Sequence, residues 1–376
     1  MPDPSSSPGS PVPVDPPGSA ARPPGVPPRS PGPALARGLK GSGRAARSLG
    51  RALSSLWRIL RANPLSLVGF ILVVLVAVTA GLVELTPGLL GIHYPLNYPG
   101  PDLHVAPDAA HPFGTDPIGI DIYSNVMAAL PVDLAIGFSI ALFSLLFGGS
   151  LGLIAGYWDT PRTIGGAVST IILRITDVFL SFPSLILALA IAATLGRGFY
   201  QAILAIMITW WPYYVRLVRG EVIAVKPQLF VTAARAAGVS DLRILFRHIL
   251  RNILEPIVVY FTMDVGTVLV IFSTISFVGI GVPYPSAHLA EWGGMIDYYR
   301  DYLTLYPWTV AAPGLAVFIT VLAFSLLGDG LRDVLDPRSR RAILQSGMTA
   351  VGPEAPLPEP ETNAPEVARA ASGEPP

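Results

Sequence analysis

The chain has 376 residues, of which 51% are hydrophobic and only 13% are charged, and its formal net charge is zero. Soluble proteins are about a quarter charged, so this composition excludes an ordinary soluble domain and favours a membrane protein. The chain contains no cysteine, which excludes disulfides, cysteine-ligated zinc, iron–sulfur clusters and a thiol nucleophile.

Both ends of the chain are rich in proline. Residues 1–43 and 342–376 combine proline with small and polar residues, and they lack apolar runs. Such segments bury too little apolar surface to offset their ordering entropy, so the sequence predicts two disordered tails. Residues 44–63 instead place leucines and Trp57 at helical spacing, opposite arginines. This pattern predicts an amphipathic helix on the membrane surface, and a solvated linker with chance periodicity is the alternative.

Long apolar segments follow within a domain that spans 64–341. A helix needs roughly 20 apolar residues to cross the hydrocarbon core of a bilayer. The segments are 65–83, 134–158, 178–196, 199–215, 257–278 and 302–328. The sequence therefore predicts an all-α integral membrane protein with six transmembrane helices. The third and fourth segments are separated only by Arg197-Gly198, which predicts a tight helical hairpin.

Basic residues predict the orientation of these helices, because lysine and arginine next to a span stay on the cytoplasmic side. Segment 86–133 has no lysine or arginine, whereas segment 216–251 carries seven. With an even number of spans, both termini are predicted to be cytoplasmic. Segments 86–133 and 279–308 then lie outside.

Several kinds of chemistry are absent from the sequence. The chain has two lysines, Lys40 and Lys226, and neither follows a glycine, so a phosphate-binding P-loop for ATP is excluded. One enzyme motif, G-x-S-x-G, matches at 148–152, but it lies inside an apolar segment. Glycines recur there at every fourth residue, a spacing that lets two membrane helices approach closely. We therefore predict a packing face and not a catalytic serine.

Segment 226–252 lies between the fourth and fifth predicted spans. Its sequence predicts a short helix over 228–237, a left-handed stop at Gly238, and a second helix that begins at Asp241 with Ser240 as its cap. Small residues leave the first helix with a shallow surface that could dock against another protein: Ala233, Ala234 and Ala237. The alternative is an ordinary basic loop between two spans.

The same segment resembles the conserved cytoplasmic loop of ABC importer permeases. That family has Glu-Ala-Ala, three residues, then Gly, with Ile-Leu-Pro further on. Here Thr232 stands in place of the Glu and Arg251 in place of the Pro. In the family this loop is a coupling helix seated in a cleft of the ATPase subunit. The resemblance implies that the ATPase-coupling residues are Thr232, Ala233, Ala234, Ala237, Gly238 and Asp241.

Two further motifs narrow the resemblance. Residues 111–116 read His-Pro-Phe-Gly-Thr-Asp, with Gly119 and Asp121 after them, and Ile120 stands where an Arg is usual. This is similar to the signature after span one in the second permease of dipeptide, oligopeptide and nickel importers. Residues 326–338 match the C-terminal signature of the same family, and the likeness covers 58–341. It implies the type I ABC importer permease fold.

The resemblance also implies the assembly in which the chain works, in a prokaryotic cell membrane. The implied partners are a second homologous permease subunit, two ABC ATPase subunits and an extracytoplasmic solute-binding protein, with no nucleic acid. ATP and Mg would bind the ATPase subunits, so the chain is expected to be a transport subunit without a cofactor, and not an enzyme. It would form half of a translocation pore for peptides or similar small solutes. Relatives also serve nickel and oligosaccharides, so the substrate stays open.

Asp264 is an ionisable residue inside the fifth predicted span. Such a residue usually faces the interior of the bundle or a wet cavity. One interpretation is that Asp264 lines the pathway and favours a cationic or amino-bearing substrate. The other is a structural carboxylate that bonds to a neighbouring span or to the partner permease. A secondary transporter or channel is the rival class of protein, but it often shows several intramembrane charges, and Asp264 is nearly alone.

Overall fold

The computed structural model describes residues 64–92, 99–281, 283–285 and 289–335. The predicted disordered tails, 1–43 and 342–376, and the predicted amphipathic helix, 44–63, lie outside the described residues. Within those ranges the chain is helical and contains no β-strand, as the predicted fold class requires. The helices are α1 Pro64–Leu85, α2 Ile122–Tyr157, α3 Ile164–Leu180, α4 Ser184–Leu195, α5 Phe199–Val225, α6 Leu229–Ala236, α7 Asp241–Phe277, α8 Trp292–Tyr299 and α9 Pro307–Leu335.

Four of these helices, α1, α2, α7 and α9, are long and apolar enough to cross a membrane. Helices α3 and α4 pass the same test only as a pair, and they are bent by 86° at their junction. Length and composition therefore support four spans, or five, and not the six that the sequence predicted. The predicted third span is broken because Pro183 precedes α4, and proline both lacks an N–H and disfavours the helical conformation of the residue before it.

Helix α5 is the predicted fourth span, and it does not pass the same test of length and composition. Its uncharged part, 199–215, includes Gln201, Pro212 and a run of aromatic residues that lower its hydropathy. Many of its residues are buried against α2, α4 and α7, so protein surrounds much of this helix. A helix in that position needs less apolar surface than one that faces hydrocarbon. The tight hairpin predicted at Arg197-Gly198 is present between α4 and α5.

The contacts between loops define two ends of the helical bundle. At one end, Gly198 in the α4–α5 turn donates its N–H to the carbonyl of Ile280, just beyond α7. At the other end, the Tyr157 hydroxyl at the end of α2 donates to Asp241 Oδ1 at the start of α7, over 2.5 Å. Segment 216–251, which carries the basic residues, extends to this second end. Helix α5 runs between the two ends even though it is less apolar than its neighbours.

Helix α2 begins earlier than the sequence predicted. We expected a span over 134–158, but the helix starts at Ile122 and has 36 residues. Asp121 caps it, since its Oδ2 accepts hydrogen bonds from the N–H of Ser124 at 2.8 Å and from the hydroxyl of the same residue at 2.5 Å. As a result, Asp133 lies inside α2 and not in an outer loop.

The glycines of α2 pack directly on α5. A methyl group added at Gly148 would lie 2.2 Å from the Trp211 carbonyl oxygen, and one at Gly152 would lie 2.8 Å from the Val215 carbonyl oxygen. Ser150 donates its hydroxyl back to the Leu146 carbonyl at 2.5 Å, within its own helix. The geometry confirms the packing face and excludes the hydrolase interpretation of the G-x-S-x-G string.

Gly148→Ala is expected to lower the free energy of unfolding by about 1–3 kcal/mol, because the added methyl group forces α2 away from α5. Gly220→Ala in α5 is the matched control, since a methyl group there meets nothing within 4 Å. Alanine is the better helix former, so the control should be neutral or slightly stabilising. Thermal unfolding of both variants in one detergent checks this, and equal midpoints would contradict the proposed α2–α5 contact.

Candidate functional site

Helix α6 ends where the sequence predicted. Gly238 has a φ of +73°, in the left-handed region that glycine adopts without strain. Its N–H donates to the Arg235 carbonyl at 3.0 Å, and the N–H of Val239 donates to the Ala234 carbonyl at 3.1 Å. These two bonds form a Schellman motif, which satisfies carbonyl groups that the helix end would otherwise leave unpaired.

The second predicted helix of the segment begins at Asp241, also as expected, but its cap differs. Ser240 occupies the N-cap position with an extended backbone, yet its side chain makes no capping hydrogen bond. The Asp241 carboxylate lies in the first helical turn, where negative charge is favourable, and accepts the hydroxyl of Tyr157. The helix passes through a π-helical segment, Ile244–Ile249, before the regular α-helix of the span. The loop is thus attached to both α2 and α7.

Helix α6 is anchored on the body of the protein by its inner face. Val231 is fully buried in a cluster of apolar side chains from α2, α5 and α7. Phe230, Ala234 and Val239 are partly buried against the same cluster. Lys226, just before α6, pairs with Asp159 after α2 over 2.5 Å. A force on α6 would therefore be transmitted to three long helices.

The outer face of α6 is exposed and largely apolar. Leu229 is 87% exposed. Nearby on α7, Leu242 and Phe246 are also exposed. Of the predicted coupling residues, all but Ala234 are exposed: Thr232, Ala233, Ala237, Gly238 and Asp241. Exposed large apolar side chains on a short helix and at the start of the next are typical of interaction surfaces.

Sequence analysis missed three apolar members of this surface, Leu229, Leu242 and Phe246. The signal was available, because Leu229 shares a helical face with Thr232 and Ala233, at spacings of three and four residues. The sequence prediction considered only the small residues of the helix and therefore left Leu229 out. We call Leu229, Thr232, Ala233, Leu242 and Phe246 the docking face.

Asp264 lies within α7 and is 3% exposed. Its carboxylate accepts hydrogen bonds from the Trp210 indole, at 2.9 and 3.2 Å to its two oxygens, and from the Tyr214 hydroxyl at 2.8 Å. Both donors belong to α5, four residues apart on one helical face. This arrangement fits a structural carboxylate bonded to a neighbouring span. Asp264 therefore contacts α5 and is not part of the docking face.

The predicted signature at 111–116 forms a compact structure at the end of the bundle opposite α6. His111 Nδ1 lies 3.0 Å from Asp121 Oδ1, and this hydrogen bond raises the pKa of His111 above its ordinary value of 6.5 although partial burial opposes the shift. Asp116 Oδ1 accepts the N–H groups of Ile118 and Ile120, and burial raises the pKa of its carboxyl. The signature therefore orders the chain that leads into α2.

These features define a class of protein. The chain is an all-α membrane protein with several spans, and a short anchored helix exposes an apolar face at one end of its bundle. Its sequence has no nucleotide-binding P-loop. This combination fits a membrane protein that works with other chains.

Comparison with known proteins gives the family. Residues 148–341 match the family described as the binding-protein-dependent transport system inner membrane component. A dipeptide transport system permease protein DppC of Alkalihalophilus pseudofirmus is 39% identical over 284 residues, which are 75% of this chain and 88% of that relative. A probable D,D-dipeptide transport system permease protein DdpC of Escherichia coli is 36% identical, over 74% of this chain and 90% of the relative.

Two more similarities complete the comparison. A glutathione transport system permease protein GsiD of Pectobacterium atrosepticum is 39% identical over 63% of this chain and 75% of that relative. Among solved structures, an inward-facing form of the MetNI methionine ABC transporter has a TM-score of 0.46 at 20% identity, over 56% of this chain and 96% of that one.

The chain belongs to the binding-protein-dependent transport system inner membrane component family. It is thus a permease subunit of an ABC importer in the inner membrane, and it is a transport protein, not an enzyme. Permeases of this family work with another permease, ATPase subunits and a binding protein.

Proposed function

We propose that the chain forms half of the translocation pore of an ATP-driven importer for peptides or similar small solutes. Its proposed partners are a second homologous permease, two ABC ATPase subunits and an extracytoplasmic solute-binding protein. The solute class is supported by the relatives, which are named for the transport of dipeptides, D,D-dipeptides and glutathione. All three are short peptides.

Segment 226–252 is the proposed coupling loop. The observation that carries this proposal is the docking face, which is exposed and apolar on a helix whose other face is anchored through Val231. An ATPase cleft that covers this face would hold α6 firmly. ATP shifts the permease between inward- and outward-facing states only if the ATPase binds the two states with different affinity. The attachment of α6 to α2, α5 and α7 gives that difference a route into the spans.

Asp264 is proposed to hold α5 and α7 together during this change. Its carboxylate bonds to Trp210 and Tyr214, so the two helices share a strong contact deep in the bundle. A role in lining the pathway would require the carboxylate to reach a wet lumen, and these contacts direct it to α5. We therefore favour movement of α5 and α7 as one unit.

The proposed orientation has the docking face in the cytoplasm, both termini on the same side, and segments 86–133 and 279–308 outside. It is supported by the basic residues of 216–251 and by the absence of lysine and arginine from 86–133. The segments on the outer side are where we place contact with the solute-binding protein.

Uptake by the complete complex in proteoliposomes tests the proposed function. The chain, its partner permease and the ATPase subunits are reconstituted with the binding protein, and labelled dipeptide, glutathione and nickel are compared. We expect uptake of a short peptide that requires ATP and the binding protein. Uptake without ATP, or uptake of nickel alone, would contradict the proposal.

A further inference from the structure

Two buried carboxyl groups accept hydrogen bonds from successive backbone amides at the end of the bundle opposite the docking face. Asp133 belongs to α2, and Glu291 immediately precedes α8. Their side chains are 1% and 2% exposed. The coupling function proposed above uses neither of them.

Both carboxyl groups cap the first turn of α8. The N–H of Trp292 donates to Asp133 Oδ2 at 3.0 Å, and the N–H groups of Gly293 and Gly294 donate to Glu291 Oε2 and Oε1 at 2.9 and 2.7 Å. The Trp292 indole also donates to a backbone carbonyl of α2, at 2.9 Å. Asp133 and its neighbours thus attach α8 to α2.

Among the residues that the structure describes, no cation forms an ion pair with Asp133 or Glu291. Two serines of α7, Ser273 and Ser276, pack against Gly293 in the first turn of α8. Helix α8 adds a third acid, Asp297, which pairs with Arg300 at 2.6 Å. The start of α8 can stabilise one negative charge, but two buried like charges repel.

Two observations indicate where a proton would reside. Asp133 Oδ1 is buried and has no hydrogen-bond partner among the described residues, and a protonated carboxyl oxygen is a donor instead of an acceptor. Burial raises the pKa of Glu291 from 4.5 to about 7. A proton shared between the two groups leaves a single negative charge at the start of α8.

We propose that Asp133 and Glu291 form a proton-binding site, in which one shared proton fastens α8 to α2. The direction of its pH dependence follows from the raised pKa of Glu291. The contact is strongest at acid pH and weakens as pH rises from near 4.5 through about 7. If the proposed orientation is correct, the site senses the pH outside the cell, on the side where the solute-binding protein docks.

Hydrogen–deuterium exchange of the full chain in nanodiscs tests the site, with rates corrected for the intrinsic effect of pH. We expect the protection of the amides of 292–294 to fall by roughly tenfold or more between about pH 5.5 and pH 8.5. Asp133→Asn still presents an acceptor to Trp292, but it should reduce the pH-dependent part. Asp301→Asn is the matched control, since this carboxylate is 83% exposed, and it should retain the fall.

Glu291→Gln keeps the test decisive if Asp133→Asn fails to fold, because the same loss of pH dependence is expected. The proposal would be overturned if amide protection in the wild type did not change with pH. It would also be overturned if protection fell as much in Asp133→Asn and Glu291→Gln as in the wild type. The measurement needs no ATPase, solute or binding protein. Failure of the importer function would therefore show in the uptake assay and not here.

Discussion

Leu229→Arg is expected to abolish ATP-driven uptake while the permease still folds in the membrane. Leu229 is 87% exposed and supports no internal packing that a charged side chain would disrupt. An arginine on the docking face would bury an unpaired charge against the ATPase cleft. Loss of an interface anchor costs about 2–4 kcal/mol, so docking should weaken by roughly 30- to 1000-fold.

The measurement is co-purification of the ATPase subunits with the permease, followed by uptake in proteoliposomes. Leu229→Met is the matched control, since it preserves apolar volume and should retain both docking and uptake. Thermal unfolding of the isolated permease should be the same for both variants. An Arg variant that docks and transports normally would show that the docking face does not meet the ATPase.

Asp264→Ala is expected to lower the free energy of unfolding by about 2–4 kcal/mol, because it leaves the Trp210 indole and the Tyr214 hydroxyl without their acceptor in a buried position. Uptake of all substrates should fall together if α5 and α7 no longer move as one unit. Asp264→Asn retains a carbonyl acceptor and should lose much less stability. Thermal unfolding and uptake assays on the same preparations check both statements.

The pattern of substrates distinguishes a structural role for Asp264 from a pathway role. If Asp264 has a structural role, its replacement should change the uptake of charged and neutral peptides equally. An Asn variant of normal stability that loses only cationic substrates would instead place Asp264 in the pathway. Equal uptake of charged and neutral peptides at wild-type levels, together with full stability of the Ala variant, would exclude both roles.

Local signals allowed the sequence to predict the two helices and the turn of segment 226–252. The start of α7 at Asp241 and the end of α6 at Gly238 depend on residues a few positions apart, and the structure shows both. The glycine spacing from Gly148 also predicted a close helix contact, because a fourfold repeat defines one helical face. In each case the information lies within one or two helical turns.

Contacts between residues that are far apart in the sequence could not be predicted from local patterns. The donors to Asp264 lie 54 and 50 residues away in α5, and no local pattern indicates which span α7 packs against. Glu291 contributes to a buried pair only because α8 folds back on α2. Length and composition do not identify α5 as a span for a related reason, since hydropathy assumes a lipid environment and α5 is largely surrounded by protein.

A disulfide or bifunctional cross-link from Ala237 tests the central claim most directly, because the chain contains no native cysteine. Ala237→Cys places one thiol beside the docking face, and a second cysteine is introduced in the cleft of the ATPase subunit. The account predicts a specific cross-link in membranes whose yield changes when ATP is added. Absence of any cross-link from Ala237 and its neighbours, with the permease folded and the ATPase bound, would contradict coupling through 226–252.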